Sequence, residues 1–397
     1  MTITFVSNYI NHHQIPFCNA MYHILGADFH FVQTQPMAQE RIQMGWSADT
    51  GSIPYVSLLY EDEAGCRDLI QNSDIVLLGW SGHEELDRMR LQTGKPTLRI
   101  SERIYREGQW KAVSPKGLVA KYREHFRYRK KPVYLLCSGA YVASDFHLIH
   151  CYPGKMFRWG YFPETVHYRE NEFRDMKTHS GTIDLAWAGR MITLKHPEYA
   201  IRLARTLKDA KFDFRLHMVG DGVMLNTLQQ MARDEKVTDV VQFYGAMEPE
   251  KVRRVMEQAH IFLFTSNYLE GWGAVVNEAM NSGCAVVASG EAGAVPFLIR
   301  DGENGLVYHD GSYGEFEAKA VYLAGHPLER DRIGRKAYDT ITMLWNAEHA
   351  ADELLRFCRG ILEDKDAVPA EEGPLSRAEV IAPPKAVRTM QEDNHLH

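Results

Sequence analysis

Short apolar runs alternate with amphipathic stretches of helical length through the first third of the chain. Strands joined by helical crossovers give this alternation when they form a parallel sheet. We therefore predict a first doubly wound α/β domain over residues 1–170. Its predicted strands are Ile3–Val6, Phe29–Val32, Asp74–Leu78, Thr97–Ile100 and Val133–Cys137.

The same alternation begins again after a charged, polar run over residues 171–180. It predicts a second doubly wound, Rossmann-like domain over residues 171–345. The predicted strands are Ile183–Ala188, Phe214–Val219, Val240–Tyr244, His260–Thr265 and Cys284–Ala288. The predicted helices are Pro197–Leu207, Met224–Arg233, Pro249–Gln258, Ala274–Ser282, Phe316–Ala324 and Leu328–Ile341.

The end of the chain differs from both halves. Residues Glu348–Leu362 carry apolar side chains at helical spacing, which predicts a C-terminal helix within 346–364. Over residues 365–397 the composition shifts to Pro, Ala, Glu and Lys. Such a segment has too little apolar surface to offset the entropy of ordering, so we predict a disordered tail.

Composition limits the class of protein. The chain has 397 residues, of which 45% are hydrophobic and 24% charged, so it is long enough for two cores of ordinary size. A formal net charge of −7 leaves no global basic field, which argues against nucleic acid as a partner. Six scattered cysteines without a CxxC pair, and no apolar run of about 18 residues, predict a cytoplasmic protein.

Polar residues that directly follow strands carry the most weight, because ligands of doubly wound sheets bind beyond the carboxyl ends of the strands. Gly189, Arg190 and Lys195 follow the first strand of the second domain. Two cations at the start of a helix suit a diphosphate. Gly220 and Met247 follow the next two strands, where accessible backbone can contact a ligand.

The clearest candidate site follows the fourth strand of the second domain, where Glu270 and Glu278 flank a glycine-containing turn. Glycine lets the backbone approach a ligand closely, and the helix start offers amide groups to an anion. The two carboxylates are suited to accept hydrogen bonds from sugar or ribose hydroxyls. The turn comprises Gly271, Trp272, Gly273, Ala274 and Val275.

These motifs resemble those of the retaining glycosyltransferases of family 4. The resemblance rests on the Glu-x7-Glu spacing, the Gly-Arg-x4-Lys segment, Gly220-Asp221-Gly222 and the run Asp301–Val307. It implies the GT-B fold, in which two Rossmann-like domains face each other across a cleft. The N-terminal domain would then serve the acceptor and the C-terminal domain the nucleotide-sugar donor, with the last helix crossing back to the N-terminal domain.

The resemblance also assigns roles to residues of the second domain. Arg190 and Lys195 would bind the donor phosphates, while the backbone at 273–275 holds the diphosphate. Glu270 would contact the donor sugar and Glu278 the ribose. A UDP-sugar is the favoured donor, and the acceptor would be a saccharide or a lipid-linked saccharide of polysaccharide or glycolipid synthesis.

Transfer in this family proceeds with retention, and the leaving phosphate oxygen helps to deprotonate the acceptor hydroxyl. The resemblance implies neither a metal nor another cofactor. The sequence agrees, because its Asp-x-Asp at 364–366 lies at the predicted tail boundary instead of after a strand. Charge on the leaving group would then be met by Arg190 and Lys195.

Three segments depart from the family pattern. The glycine-rich loop that the family often has after the first strand is replaced here by residues 7–14. The family has Gly-Gly-x-Pro-Glu where this chain has Gly293-Ala294-Val295-Pro296-Phe297, so Ala and Phe replace the second Gly and the Glu. A family histidine expected after a strand of the first domain is replaced by Ser101-Glu102-Arg103.

The acceptor side has weaker candidates. His12, His13, His83 and Glu102 follow predicted strands of the first domain, and each is either an acceptor contact or an ordinary surface residue. Residues 121–131 contain six Lys or Arg and three aromatic residues. They indicate a surface that binds anionic membranes or a pyrophosphate-linked lipid acceptor, or else a solvated helix face with its aromatic side chains buried.

Two other functions remain open at this point. An epimerase of nucleotide-sugars would use the same donor site without an acceptor. A non-catalytic protein that binds nucleotide-sugars would keep the site and lack the transfer, and Phe297 favours that alternative. A phosphorylase is disfavoured, because the sequence shows no lysine motif of the pyridoxal type.

Overall fold

A computed structural model describes residues 1–37, 50–177, 181–363 and 368–387 of the 397-residue chain. The chain divides into two compact units. Unit 1 comprises Met1–Glu164, Asn346–Pro383 and the chain from Val387, and unit 2 comprises Thr165–Trp345 with Pro384–Ala386. The boundary between the two units therefore lies at Glu164–Thr165, a few residues before the domain boundary predicted at residue 170.

Unit 1 is built on a parallel sheet. Its strands are β1 Ile3–Ser7, β2 Phe29–Gln33, β3 Val56–Leu58, β4 Ile75–Leu78, β5 Thr97–Ser101, β6 Val133–Ser138 and β7 Met156–Trp159. They lie in the order β3-β2-β1-β4-β5-β6-β7. Because the order reverses between β1 and β4, the loops after these two strands diverge and open a crevice at the carboxyl edge. Strands β1, β4 and β6 are fully buried, as expected when helices cover both faces.

Unit 2 repeats this plan with a second parallel sheet. Its strands are β8 Ile183–Ala188, β9 Phe214–Val219, β10 Val241–Gly245, β11 Ile261–Phe264, β12 Ala285–Ser289 and β13 Leu306–Tyr308. They lie in the order β10-β9-β8-β11-β12-β13, so the reversal falls between β8 and β11. The predicted fold class, α/β with two doubly wound Rossmann-like domains, is confirmed.

Helices connect the strands in both units. Those of unit 1 are α1 Ile15–Leu25, α2 Glu63–Asn72, α3 Glu84–Thr93, α4 Pro115–Glu124, α5 Val142–Leu148 and, after unit 2, α14 Ala347–Glu363. Those of unit 2 are α6 Glu170–Asp175, α7 Glu198–Asp209, α8 Leu225–Asp234, α9 Pro249–Gln258, α10 Val275–Asn281, α11 Val295–Leu298, α12 Tyr313–Gly325 and α13 Pro327–Met343. Within the described ranges, no helix has the length and apolar character needed to cross a membrane.

The end of the chain belongs to unit 1. Helix α14 packs against α1, and its Phe357 lies edge-on to Phe157 of β7 at 4.7 Å between ring centroids. The following segment differs from the predicted disordered tail. Leu375 is completely buried, and Arg377 forms an antiparallel bridge with Phe157 at the edge of the sheet.

The physical reason is that β7 is an edge strand with unpaired backbone groups, which the tail satisfies. The Arg158 N–H donates to Ser376 O at 2.7 Å, and the Leu375 N–H donates to Arg158 O at 2.9 Å. Residues 365–367 and 388–397 of the predicted tail lie outside the described residues.

Candidate functional site

The loops after β8 and β11 meet at the point where the strand order of unit 2 reverses. Lys195 ends a short 3-10 turn after β8, and Glu270 follows β11. Lys195 Nζ and Glu270 Oε2 form an ion pair in which each side chain is only 15% exposed. The structure therefore brings together two predicted site residues that the sequence separates widely.

A chain of hydrogen bonds fixes the two loops. Trp187 Nε1 donates to Thr265 Oγ1 at 2.8 Å, and Thr265 Oγ1 donates to Lys195 O at 2.6 Å. The Asn267 N–H donates to Leu194 O at 2.9 Å, which ties the second loop to the first. Sequence reasoning missed Thr265 and Asn267, although their position directly after a buried strand was a usable signal.

The backbone of this region requires glycine at two turns. A Cβ on Gly220, whose φ is +124°, would lie 1.9 Å from Gly189 O. A Cβ on Gly273, whose φ is +93°, would lie 2.6 Å from the Phe264 ring. Any larger residue would force these loops apart, so the glycines allow the turns to pack closely beside the strand ends.

The side chain of Trp272 has a structural role. It is 1% exposed, and its Nε1 donates to Asn277 Oδ1 at 2.9 Å. Phe297 stacks on Trp345 at 6.0 Å between ring centroids, and both rings pack against Trp272. The prediction that Trp272 contacts the donor therefore applies to its backbone alone, because the indole is enclosed by this aromatic cluster.

The segment that departs from the family pattern also supports the glycine turn. The Gly293 N–H donates to Gly271 O, and the Ala294 N–H donates to Trp272 O, each at 3.1 Å. Phe297 thus fills space behind the turn with apolar surface, where the family pattern has a carboxylate.

Glu278 lies in α10, one turn beyond the start of the helix. Burial raises the pKa of Glu278 to about 7, and the nearby Arg253 guanidinium opposes that shift. A carboxyl with this pKa changes charge near neutral pH and gains much from a ligand that donates hydrogen bonds to its ionised form. The first N–H groups of α10 point away from the body of the helix, and that of Val276 donates to Gly273 O at 2.9 Å.

The other predicted donor contacts lie around the same edge of the sheet. Arg190 is exposed directly after β8, and Met247 is half-buried just after β10. The Gly189 N–H donates to Val219 O at 3.0 Å. Ala274 precedes α10 and is half-buried. Among the described residues, no group of His, Cys, Asp and Glu has the arrangement of a metal site.

Unit 1 has a cavity of about 840 Å³ where its own strand order reverses. The predicted acceptor-side residues His13, His83 and Glu102 all line it. His12 lies beside His13, with 3.8 Å between the ring centroids. Glu102 Oε1 accepts a hydrogen bond from Tyr161 at 2.5 Å, and Arg106 pairs with Glu102 Oε2 at the same distance.

The chemistry of the two histidines follows from their burial. Burial, with a smaller effect of His12, lowers the pKa of His13 to about 3, and burial also lowers the pKa of His12. His13 is therefore neutral at pH 7 and a poor proton acceptor. Its ring stacks on Tyr161 at 5.9 Å, which fits a positioning role better than activation of an acceptor.

Two features of this cavity were not predicted from the sequence. Arg99 Nη1 contacts His125 Nδ1 at 3.1 Å, and His125 Nδ1 lies 2.8 Å from Tyr152 Oη, which forms a buried polar network in its wall. Arg103 forms an ion pair with Asp145 at 3.0 Å, with both side chains buried. Arg103 thus serves the packing of unit 1 at the place where the family pattern has a histidine.

Comparisons with known proteins agree with this architecture. Residues 169–340 match the family model described as glycosyl transferases group 1. A D-inositol 3-phosphate glycosyltransferase of Corynebacterium aurimucosum is 29% identical over 45% of this chain and 44% of its own length. A GDP-mannose-dependent alpha-(1-6)-phosphatidylinositol monomannoside mannosyltransferase of Mycobacterium tuberculosis is 31% identical over 36% of this chain and 39% of its own. The chain thus matches less than half the length of these curated relatives.

Solved structures show the same fold at low sequence identity. The crystal structure of HepE from Anabaena in complex with UDP has a TM-score of 0.65 and 14% identity, over 90% of this chain and all of that chain. The likeness extends over both units, whereas the match to the family model lies entirely within unit 2. The chain therefore has the GT-B fold of two Rossmann-like domains, and its residues 169–340 are similar to glycosyl transferases group 1.

Proposed function

We propose that this protein is a retaining glycosyltransferase that transfers a sugar from a nucleotide-sugar, with a UDP-sugar favoured, to an acceptor hydroxyl. The observation that carries the proposal is the Lys195–Glu270 pair, held at the strand-order reversal of unit 2. This position is where doubly wound sheets bind ligands. A cation and a carboxylate side by side match a ligand that joins a phosphate to a polyhydroxylated ring.

Each residue has a part in this proposal. Lys195 and Arg190 bind the donor phosphates, and the backbone of the turn at 273–275 accepts the diphosphate. Glu270 accepts hydrogen bonds from the donor sugar, and Glu278 accepts them from the ribose. When the donor binds, its diphosphate competes with Glu270 for the Lys195 ammonium, which frees the carboxylate for the sugar hydroxyls.

The transfer step breaks the bond between the anomeric carbon and the phosphate oxygen, and the acceptor oxygen attacks the same face. The leaving phosphate oxygen takes up the acceptor proton. Because the acceptor attacks the face from which the phosphate leaves, the configuration of the anomeric carbon is retained. Preorganised cations stabilise the charge that develops on the leaving group. We propose that no metal or other cofactor takes part and that Lys195 and Arg190 of unit 2 suffice to stabilise this charge.

The proposed setting is surface polysaccharide or glycolipid synthesis, with a saccharide or lipid-linked saccharide as acceptor. Two curated relatives are named for glycosyl transfer to inositol-containing acceptors, which supports an acceptor that presents the hydroxyl groups of a six-membered ring. The six cysteines are buried free thiols, consistent with a reducing, cytoplasmic location.

Calorimetric titration of UDP and GDP in EDTA tests the donor site. We expect one of the two nucleotides to bind wild type without metal and to bind the Glu278→Ala variant about tenfold more weakly, because one bidentate acceptor of ribose hydroxyls is lost. The Asp239→Asn variant, which removes an exposed ion pair with Lys208 elsewhere in unit 2, is the control. Failure of both nucleotides to bind wild type would overturn the proposal. Tighter binding of GDP than of UDP would mean that the donor is a GDP-sugar instead of a UDP-sugar.

The surface around α4 supports attachment to an anionic membrane. Leu118, Val119 and Tyr122 are each about half exposed on this helix, and they border a groove of about 450 Å³. In the 121–131 segment the cations Arg123, Arg127 and Lys130 are exposed, whereas Tyr128 is buried. Exposed apolar side chains beside cations are typical of helices that lie in a membrane interface.

Vesicle flotation tests this attachment. Wild type should float with vesicles that contain about 30% anionic phosphatidylglycerol and should not float with neutral phosphatidylcholine, since surface cations sense an anionic leaflet. The double variant Val119→Glu, Tyr122→Glu should lose most of this binding. The Leu328→Glu variant, which changes a highly exposed leucine of unit 2, should keep it. Equal flotation of all three proteins would refute the membrane proposal.

A non-catalytic nucleotide-sugar-binding protein is the second candidate. The observation that favours it is Phe297, which packs into the aromatic cluster with Trp272 and Trp345 where the family pattern has a glutamate. Such a protein would bind the nucleotide and neither hydrolyse the donor nor transfer its sugar to any acceptor. An epimerase would convert the donor sugar without releasing the nucleotide. Analysis of the donor by NMR after incubation separates the three cases.

A further inference from the structure

The rim of the unit 1 cavity holds an exposed tryptophan on a fixed backbone. Trp80 is 69% exposed and lies in the loop directly after β4. Tryptophan is highly buried on average, and the place of this exposed indole in the lining of a cavity makes its ring available to a ligand there. The backbone of this loop is held in place by three hydrogen bonds.

Hydrogen bonds on both sides of Trp80 fix its position. The Asn8 N–H donates to Trp80 O at 2.8 Å, and the Gly79 N–H donates to Val6 O at 2.9 Å. Thr34 Oγ1 donates to Ser81 O at 2.6 Å. The backbone that carries the indole is thus held by the ends of β1 and β2, so a ligand does not have to order this loop when it binds.

The charges of the cavity decide what kind of ligand fits. Its lining contains four Arg or Lys and four Asp or Glu, so the formal charges balance and a strongly anionic ligand gains no net attraction. Several carboxylates retain acceptor capacity; Asp87, for example, accepts one hydrogen bond from Ser81 Oγ at 2.8 Å. Asn8, Asn11 and Gln14 add amide groups that both donate and accept. Such a lining suits a neutral ligand with many hydroxyls.

We propose that the unit 1 cavity binds the acceptor as a neutral pyranose whose apolar C–H face stacks on the indole of Trp80. The negative π face of the indole attracts the partly positive hydrogen atoms of the sugar C–H bonds. The volume of about 840 Å³ has room for one or two sugar rings. This inference rests on the proposed function and names the chemistry of its acceptor.

Saturation-transfer NMR with the full chain tests the stacking. The probes are the methyl glycosides of glucose, galactose, mannose and N-acetylglucosamine, with myo-inositol 1-phosphate and octyl phosphate as competing chemistries. At least one glycoside should receive saturation mainly on the protons of one ring face. The signal should fall about tenfold in Trp80→Ala, return in Trp80→Tyr, and persist in Tyr322→Ala, which removes an exposed aromatic ring of unit 2.

The outcomes separate this inference from the proposed function. A wild type that binds UDP or GDP but shows no Trp80-dependent glycoside signal would overturn the stacking and leave the transferase proposal intact. Trp80-dependent binding of octyl phosphate or inositol phosphate alone would also overturn it, in favour of an acyl chain or an anion. Absence of nucleotide binding would instead defeat the proposed function. Circular dichroism of each variant verifies that it is folded.

Discussion

Replacing Glu270 by Gln should slow the transfer of the donor sugar to water by about 100-fold or more, in line with the loss of a single preorganised electrostatic contact in an active site. Gln keeps the shape of the side chain but removes the charge that pairs with Lys195. In the proposed reaction this carboxylate orients the sugar, so its loss lowers kcat more than it raises KM. Donor hydrolysis, followed by NMR, measures both without knowledge of the acceptor.

The control for this experiment is Asp239→Asn, because Asp239 also pairs with a lysine of unit 2, at 2.6 Å, and lies on an exposed surface before β10, whereas the site lies beyond the carboxyl ends of the strands. Its hydrolysis rate should stay within twofold of wild type. A Glu270→Gln protein that hydrolyses the donor at a similar rate would exclude Glu270 from the reaction. The first sugar anomer released by wild type also tests retention, since a retaining enzyme releases the configuration of its donor.

The central strands of both sheets were predictable because they are buried on both faces and therefore read as continuous apolar runs. The short edge strands β3, β7 and β13 were missed. Residues 56–58 are only half-buried, and three residues give no periodicity to recognise. The end of the chain was misjudged for a related reason, since Leu375 is isolated in a polar segment and gains its burial from the edge strand β7.

The candidate site was predictable as a set of residue types but not as a geometry. Lys195 and Glu270 could be singled out because each follows a strand, yet their pairing depends on β8 and β11 being neighbours, which only the strand order shows. The sequence could not show that the indole of Trp272 has a structural role, unlike the proposed ligand contacts beside it. That role depends on packing against Phe297 and Trp345, which are distant in the sequence. Trp80 carried no motif at all, and its exposure is a property of the folded loop.

Replacing Glu278 by Gln is expected to stabilise the protein above neutral pH while weakening its binding of nucleotide. Burial raises the pKa of Glu278 from 4.5 to about 7. The folded state therefore binds more protons than the unfolded state between these values, and wild type loses stability as the pH rises from about 4.5 through 7. The difference amounts to about 3 kcal/mol at pH 8 and is nearly absent at pH 4.

Thermal unfolding at pH 5 and pH 8 measures this effect, with Asp239→Asn as the control. The Tm of Glu278→Gln should exceed that of wild type at pH 8 by several degrees more than at pH 5. If the two proteins show parallel pH profiles, the carboxyl is not titrating in the folded state as its burial requires.

The affinity for nucleotide should instead rise with pH, since in the proposed complex the ribose hydroxyls donate to the ionised carboxylate of Glu278. Binding then lowers the pKa of Glu278, so wild type releases a proton and its affinity for the nucleotide rises up to about tenfold between pH 6 and pH 8. Titration in two buffers of different ionisation enthalpy detects that proton, and Glu278→Gln should release none. A variant that is more stable yet binds nucleotide weakly would mean that unit 2 retains a destabilising, partly buried acid because the ligand uses it.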